Sequence, residues 1–255
     1  MPTINRYPIT IDGETVSIGS ANELAVALDV LQGQHDRETL QQLLPHLAEI
    51  IGHASGLMLI LRSLSVDDRI YLLQAVGPDL AQVIRDAPHL RDLLAVLSDQ
   101  SVESTLLSAL GADGLRRLIM TGAQLAEVLE WVYGDEDALL LQLLGDGYLR
   151  RLCRHAGDLS AILKNIDFAL QAVLLEQLGW PFVVNLVKDG YDLAALLRAL
   201  PPQQTRRLLH HYSATQLVEL IGNADEWTYL YQRLEPAEAE MIRSLFNLDQ
   251  PEEAR

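Results

Sequence analysis

One cysteine in 255 residues excludes an internal disulfide framework and any zinc cage built on thiolates, so redox conditions place no constraint on the fold. Three Phe and three Trp in a Leu-dense chain mean that the core is aliphatic, which favours helix. Basic residues are scarce too. The 19 Lys and Arg stand against 35 Asp and Glu, a net charge of −16, which opposes broad, non-specific attachment to nucleic acid or to an anionic membrane surface. The longest uninterrupted apolar runs, such as Leu57 to Leu61, are about five residues, far below the roughly 18 of a membrane span. The opening MPTINRYPITID has neither the basic stretch nor the continuous apolar stretch of a secretory signal. A soluble, cytoplasmic protein without membrane insertion is expected.

What the chain does have is a period. The segments LLQAVG, LLSALG, LQLLG and LLEQLG end at Gly77, Gly111, Gly145 and Gly179, and Ser213 and Asn247 continue the same 34-residue step. Apolar residues recur in fixed columns downstream of each: Leu115, Leu149, Val183 and Leu217, then Leu125, Leu159, Leu193 and Trp227. Between and beyond these lie the pairs Leu118/Ile119, Leu152/Cys153, Leu186/Val187 and Leu220/Ile221, and Val128/Leu129, Ile162/Leu163, Leu196/Leu197 and Leu230/Tyr231. The copy at Gly77 carries the pattern one residue early, and a further copy lies 33 residues before it. A recurring unit of this length marks a repeat architecture.

Within a unit the spacing i, i+3, i+4, i+7 predicts helices with one buried stripe. The first helix is expected to end at the repeating Gly, the second at Pro88, Gly122, Gly157, Gly190 or Gly222, and the third to begin after Asp158, Asp192 or Asp225, whose carboxylates suit a helix start. Helices of roughly 8–11 residues are marginal alone, and one unit cannot enclose its own stripe, so stacking supplies the missing burial. The predicted fold is all-α: an α-solenoid, of right-handed type, with about six to seven 33–34-residue three-helix repeats over residues 20–248. Residues 1–19 alternate apolar and polar around Asp12-Gly13, the pattern of a β-hairpin, which either covers the first helices or offers an edge strand to a partner. Residues 249–255 read as a disordered acidic tail.

Reactive chemistry is hard to find. Cys153 occupies a column of Ile and Val and is expected to be a buried hydrophobe. His46, Glu49 and His53 share one helical face, but their equivalents Asp79, Gln82 and Asp86 are ordinary polar positions, so a solvated face is expected there and no metal. His210 and His211 point to different sides of a helix with no third ligand in view. Gly145-Asp146-Gly147 lacks the strand and Lys of a phosphate loop, Asp135-Glu136-Asp137 suits a helix start, and no Ser and His stand in triad order. No enzyme and no cofactor are expected.

One constellation is basic. Arg116-Arg117 and Arg150-Arg151 occupy identical columns, and Arg154 and Lys188, with Arg85 one unit earlier, add another. Stacking predicts a ladder that concentrates seven of the 19 basic residues on one helix layer. Arg grips carboxylate or phosphate with two bonds, so the ladder is either a site for an acidic peptide, a phosphate or nucleic acid, or a surface row neutralised by Asp113, Asp146 and Asp158. Trp180-Pro181 is a second candidate, either an exposed anchor, joined by Tyr148 and Phe182, or an indole tucked against the adjacent helix start.

The columns resemble those of α-solenoid repeat proteins as a class. The tetratricopeptide signature of Trp, Gly-Tyr and Pro is absent, whereas a Leu-rich three-helix unit containing DAPHLRDLL is loosely similar to repeats of the mitochondrial transcription termination factor family, and the unit length is similar to Pumilio and TAL-effector repeats. Those resemblances imply nucleic-acid binding, from which the charge of −16 departs, and no functional residue carries over. The function expected is a non-catalytic protein–protein interaction scaffold, with nucleic-acid or phosphate binding through the Arg ladder as the alternative.

Overall fold

The computed structural model describes residues 5–11, 13–31, 33–232, 236, 239, 240, 242 and 243. Asp12, Asn247 and the expected tail 249–255 lie outside the described residues. The chain is mostly helical after a two-stranded antiparallel hairpin, β1 (Tyr7–Ile11) and β2 (Glu14–Ile18). Then follow α1 (Ala21–Leu31), α2 (Asp36–Leu43), a 3-10 turn over Leu44–His46, α3 (Leu47–Ile51) and α4 (Ala54–Ser63). Next come α5 (Val66–Val76), α6 (Leu80–Val83), α7 (Ala87–Leu94), α8 (Gln100–Leu118), α9 (Gly122–Leu129) and α10 (Glu136–Leu144). The rest are α11 (Asp146–Leu152), α12 (Ala156–Leu163), α13 (Phe168–Leu178), α14 (Trp180–Leu186), α15 (Gly190–Leu197), α16 (Pro202–Leu209), α17 (Ala214–Ile221) and α18 (Ala224–Tyr231). Two compact units result, Met1–Met120 with Glu130–Leu144, and Thr121–Leu129 with Gly145–Arg255. Among the described residues no helix is long and apolar enough to cross a membrane.

The repeating glycines end helices as their lack of a side chain allows. Gly145 and Gly179 take φ of 75° and 77°, and Gly111, at φ 60°, breaks α8 in two. A side chain at such a φ is strained. The starts of the third helices differ from expectation. Asp86, Thr121, His155, Asp189 and Asn223 accept a hydrogen bond from the backbone N–H three residues on, so α12 and α15 begin before Asp158 and Asp192, and α18 before Asp225. Asp158 and Asp192 instead reach back to the backbone N–H of Arg154 and Lys188. A carboxylate suits either end of this exchange, and spacing alone did not tell them apart. Accordingly α11 and α14 stop at Leu152 and Leu186, well before Gly157 and Gly190, and Gly122, Gly157 and Gly190 lie inside the third helices.

Gly122 and Gly190 belong to a column that composition hides. The first residues of α1, α4, α7, α9, α12, α15 and α18 are Ala21, Ala54, Ala87, Gly122, Ala156, Gly190 and Ala224, small in every case. In the second unit α9, α12, α15 and α18 pack each on the next, and a Cβ on Gly122 would lie 2.6 Å from Cβ of Asp158. Gly122→Ala is therefore expected to cost about 1 kcal/mol through overpacking, although Ala is the better helix former. Gly147→Ala, with nothing within 4 Å, is the matched control and should lose nothing. Chemical denaturation of both variants checks this, and equal stability of the two would show that the helices separate freely.

The aliphatic columns form the core. Leu115, Leu149, Val183 and Leu217 are buried, as are Leu125, Leu159 and Leu193 and the pairs Val128/Leu129, Ile162/Leu163 and Leu196/Leu197. At the start of the chain the hairpin rests on α2 and α3 through β1. The Tyr7 ring stacks on His46 at 3.8 Å and its hydroxyl donates to Glu49 Oε2 at 2.6 Å. Gln42 donates to the Thr10 carbonyl and accepts from its N–H, while Ile9 and Ile18 are buried.

Candidate interaction surface

Each Arg pair divides its labour. In the first unit Arg116 turns its Nε and Nη2 onto the carbonyl of Leu144, the last residue of α10, at 3.0 and 2.8 Å. This satisfies a carbonyl that the helix itself leaves open and places a cation at the negative end of the helix dipole. In the second unit Arg150 does the corresponding thing, its Nη2 donating to the Gln177 carbonyl near the end of α13 at 3.4 Å, with its guanidinium 5.8 Å from the Phe182 ring centroid. Arg117 and Arg151 are exposed, as is Arg150. Arg151 lies over the Tyr148 ring at 5.1 Å.

Of the expected neutralising carboxylates, Asp158 is occupied elsewhere and Asp113 stands at the margin of a pair. Asp113 stands 4.0 Å from Arg116, the outer limit of an ion pair. Asp158 is engaged by the Arg154 backbone and by His155 at 3.3 Å. Arg85, Arg154 and Lys188 are exposed, and Lys188 lines a cleft of about 390 Å³ with His211, Tyr212 and Glu219. Burial pushes the Tyr212 hydroxyl up to about 12, so it is a neutral donor, spent on the Val184 carbonyl. Arg85, Arg116 and Arg117 belong to the first unit, and Arg150, Arg151, Arg154, Lys188 and Trp180 to the second.

Trp180 is half-buried and stacked at 5.6 Å on His211, in the turn between α16 and α17. Tyr148 and Phe182 sit beneath arginines, each apart from that stack. Cys153 is buried and its thiol is pushed up to about 12 by that burial, which removes the thiolate that nucleophilic chemistry needs. His46 and Glu49 are engaged by the hairpin, and His53 accepts from the Gly56 N–H at the start of α4. Glu49 is held below the usual carboxylate range chiefly by the Tyr7 hydroxyl. Among the described residues no three His, Cys, Asp or Glu gather as a metal site.

Two features escaped the sequence reading. One is an open apolar groove of about 800 Å³ between the hairpin and α1; the other is a set of buried polar groups at helix starts, Glu103 and Gln171 among them. The first requires knowing which hairpin edge α2 covers. The second is visible as a 34-residue column, Arg69, Glu103, Asp137, Gln171 and Thr205, once polar positions are searched for period as well as apolar ones. Comparison with protein-family models, curated proteins and solved structures finds no match.

Proposed function

We propose that this chain is a non-catalytic interaction scaffold, an array of stacked three-helix repeats that displays its second helices to a protein partner. Three further readings support it. The third helices α9, α12, α15 and α18 start 34 residues apart and pack in turn; the aliphatic columns are consumed by that packing; and a stack of this kind leaves a long polar surface for recognition. The observation that carries the reading is the division within the first Arg pair, because Arg116 is tied to the Leu144 carbonyl while Arg117 is exposed. The resemblance to α-solenoid proteins enters as part of the same proposal.

The experiment separates the two members of each pair. Arg117→Gln with Arg151→Gln should change stability by less than about 0.5 kcal/mol while partner capture weakens by about 2 kcal/mol or more for a central anchor. Arg116→Gln should lower stability by about 1–2 kcal/mol, since a charged donor to a helix-end carbonyl is lost. Capture by the Arg117/Arg151 variant at wild-type affinity would remove these residues from the interface. The stacked Arg151–Tyr148 pair favours a second reading, an anionic ligand such as phosphate or nucleic acid. Under it affinity falls steeply with salt, with a log–log slope near the number of phosphates engaged.

A further inference from the structure

We propose that the outer edge of β2, with the apolar groove beside it, docks an extended segment of a partner protein as a third strand, one with aliphatic side chains at alternate positions and a Lys or Arg among them. The proposal rests on the scaffold reading and gives it a second surface and a ligand class.

Register decides which backbone groups are open. Ile11↔Glu14 flanks a two-residue connection, so that pair exchanges both backbone bonds, as do Ile9↔Val16 and Tyr7↔Ile18. Thr10 and Pro8 on β1, and Thr15 and Ser17 on β2, therefore turn their backbone groups away from the ladder. The β1 edge is closed: Gln42 takes both groups of Thr10 at 2.8 and 3.0 Å, and Pro8 has no N–H to offer. On β2 the Ser17 carbonyl accepts from Arg6 at 3.3 Å. Among the described residues nothing pairs with the Thr15 N–H and carbonyl or with the Ser17 N–H.

The groove continues that edge. Ile9 and Ile18 line it from the hairpin and Val26 and Val30 from α1. Val16, Val26 and Val30 are 47%, 55% and 76% exposed. A lone exposed Val means little, but three around one concavity beside an open strand edge match strand addition, in which main-chain bonds supply affinity and pockets for alternate side chains supply specificity. The five residues of β2 set the occupant's length at about five to seven residues.

Charge selects the occupant. Arg6 is neutralised by Glu23 at 2.9 Å, which leaves Glu14 in the groove without an opposite charge among the described residues. A second copy would bring the same unpaired carboxylate against its own, so a basic segment from another protein fits better.

The test titrates a fluorescein-labelled peptide, Thr-Val-Thr-Val-Thr-Lys-Thr, with the full chain and reads anisotropy. Saturable binding is expected, weakened about tenfold or more by Thr15→Pro, which removes an open edge N–H, and by Val26→Lys, which opposes the basic probe. Both positions are exposed, and circular dichroism and melting of the two variants should match wild type. Added antiparallel to β2, the same peptide N-methylated at its internal Thr residues, which would face Thr15 and Ser17 across the ladder, should not bind. The proposal is overturned if the probe does not saturate, or if both variants bind it as wild type does. It is also overturned if wild type sediments as a dimer that Thr15→Pro converts to monomer, because the edge is then taken by a second copy. Its fate is separable from that of the scaffold reading. A native partner still captured by both variants leaves the scaffold and removes the groove, whereas probe binding that obeys these variants with no partner captured by wild type leaves the groove and removes the scaffold.

Discussion

Leu149→Asp should abolish the cooperative unfolding of the second unit at room temperature, whereas Asp146→Ala, three residues earlier on α11, should be nearly silent. Leu149 is 2% exposed in a column whose members Val183 and Leu217 are buried as fully. Removing its side chain alone costs about 2–5 kcal/mol, and an unpaired carboxylate in its place adds several more. Against a net stability of about 5–15 kcal/mol that is most of what holds the fold. Asp146 is exposed, and Gly145, the residue before α11, provides no side-chain cap. Its carboxylate contributes only through the helix dipole, about 0.3–1 kcal/mol. Urea denaturation followed by circular dichroism reads both. Similar midpoints for the two variants would show that the apolar columns do not mark the core.

That contrast rests on a column legible before any coordinates, because burial with a fixed period leaves its mark on every copy. Leu115, Leu149, Val183 and Leu217 are all buried, and Gly111, Gly145 and Gly179 all take the left-handed backbone that ends a helix. What periodicity did not resolve is which of two polar groups does a given job. Asp189 and Asp192 both suit a helix start, and only the direction of the hydrogen bonds makes the first the cap and the second its reciprocal partner. The Arg pairs are a second instance. Adjacent identical residues point about 100° apart on a helix, so Arg116 reaches the Leu144 carbonyl and Arg117 does not. The alternation predicts a hairpin that either covers the first helices or offers an edge strand, but that β1 is closed by Gln42 depends on a contact 32 residues away in sequence.

Glu103→Gln should stabilise the chain at pH 8 and do little at pH 4. Glu103 stands in the column of Arg69 and Gln171, and both of those donate to carbonyls that end the preceding third helix. Arg69 Nε bonds to Leu64, and Gln171 Nε2 to Leu163 and Ile166, the shortest contact being 2.6 Å. Glu103 lies in a cleft of about 410 Å³ with Ala95 and Leu97, beyond the end of α7, and a carboxyl there can donate only while protonated. It is 2% exposed with Oε2 unpartnered, and its pKa is pushed up to about 7. Burial is the main cause; a backbone hydrogen bond from Tyr133 opposes it, and Glu136 and Asp99 add to it. In the unfolded chain the group titrates near 4.5. Between those values the folded state holds a proton that the unfolded state has released, so stability falls as pH rises from about 4.5 to about 7 and is level on either side. The loss is about 2 kcal/mol once solvent at the cleft mouth is allowed for. Gln is a permanent neutral donor, as at position 171, and should restore about that amount above pH 7, roughly 5 °C in melting temperature. Asp36, another buried carboxyl raised mainly by burial, contributes its own pH dependence in both proteins. The readout is therefore the difference between wild type and variant across pH 4 to 8. A difference that stays constant with pH, or a variant less stable than wild type at pH 8, would mean that Glu103 is ionised in the folded chain and that its carboxylate, not its proton, is what the seam between α7 and α8 requires.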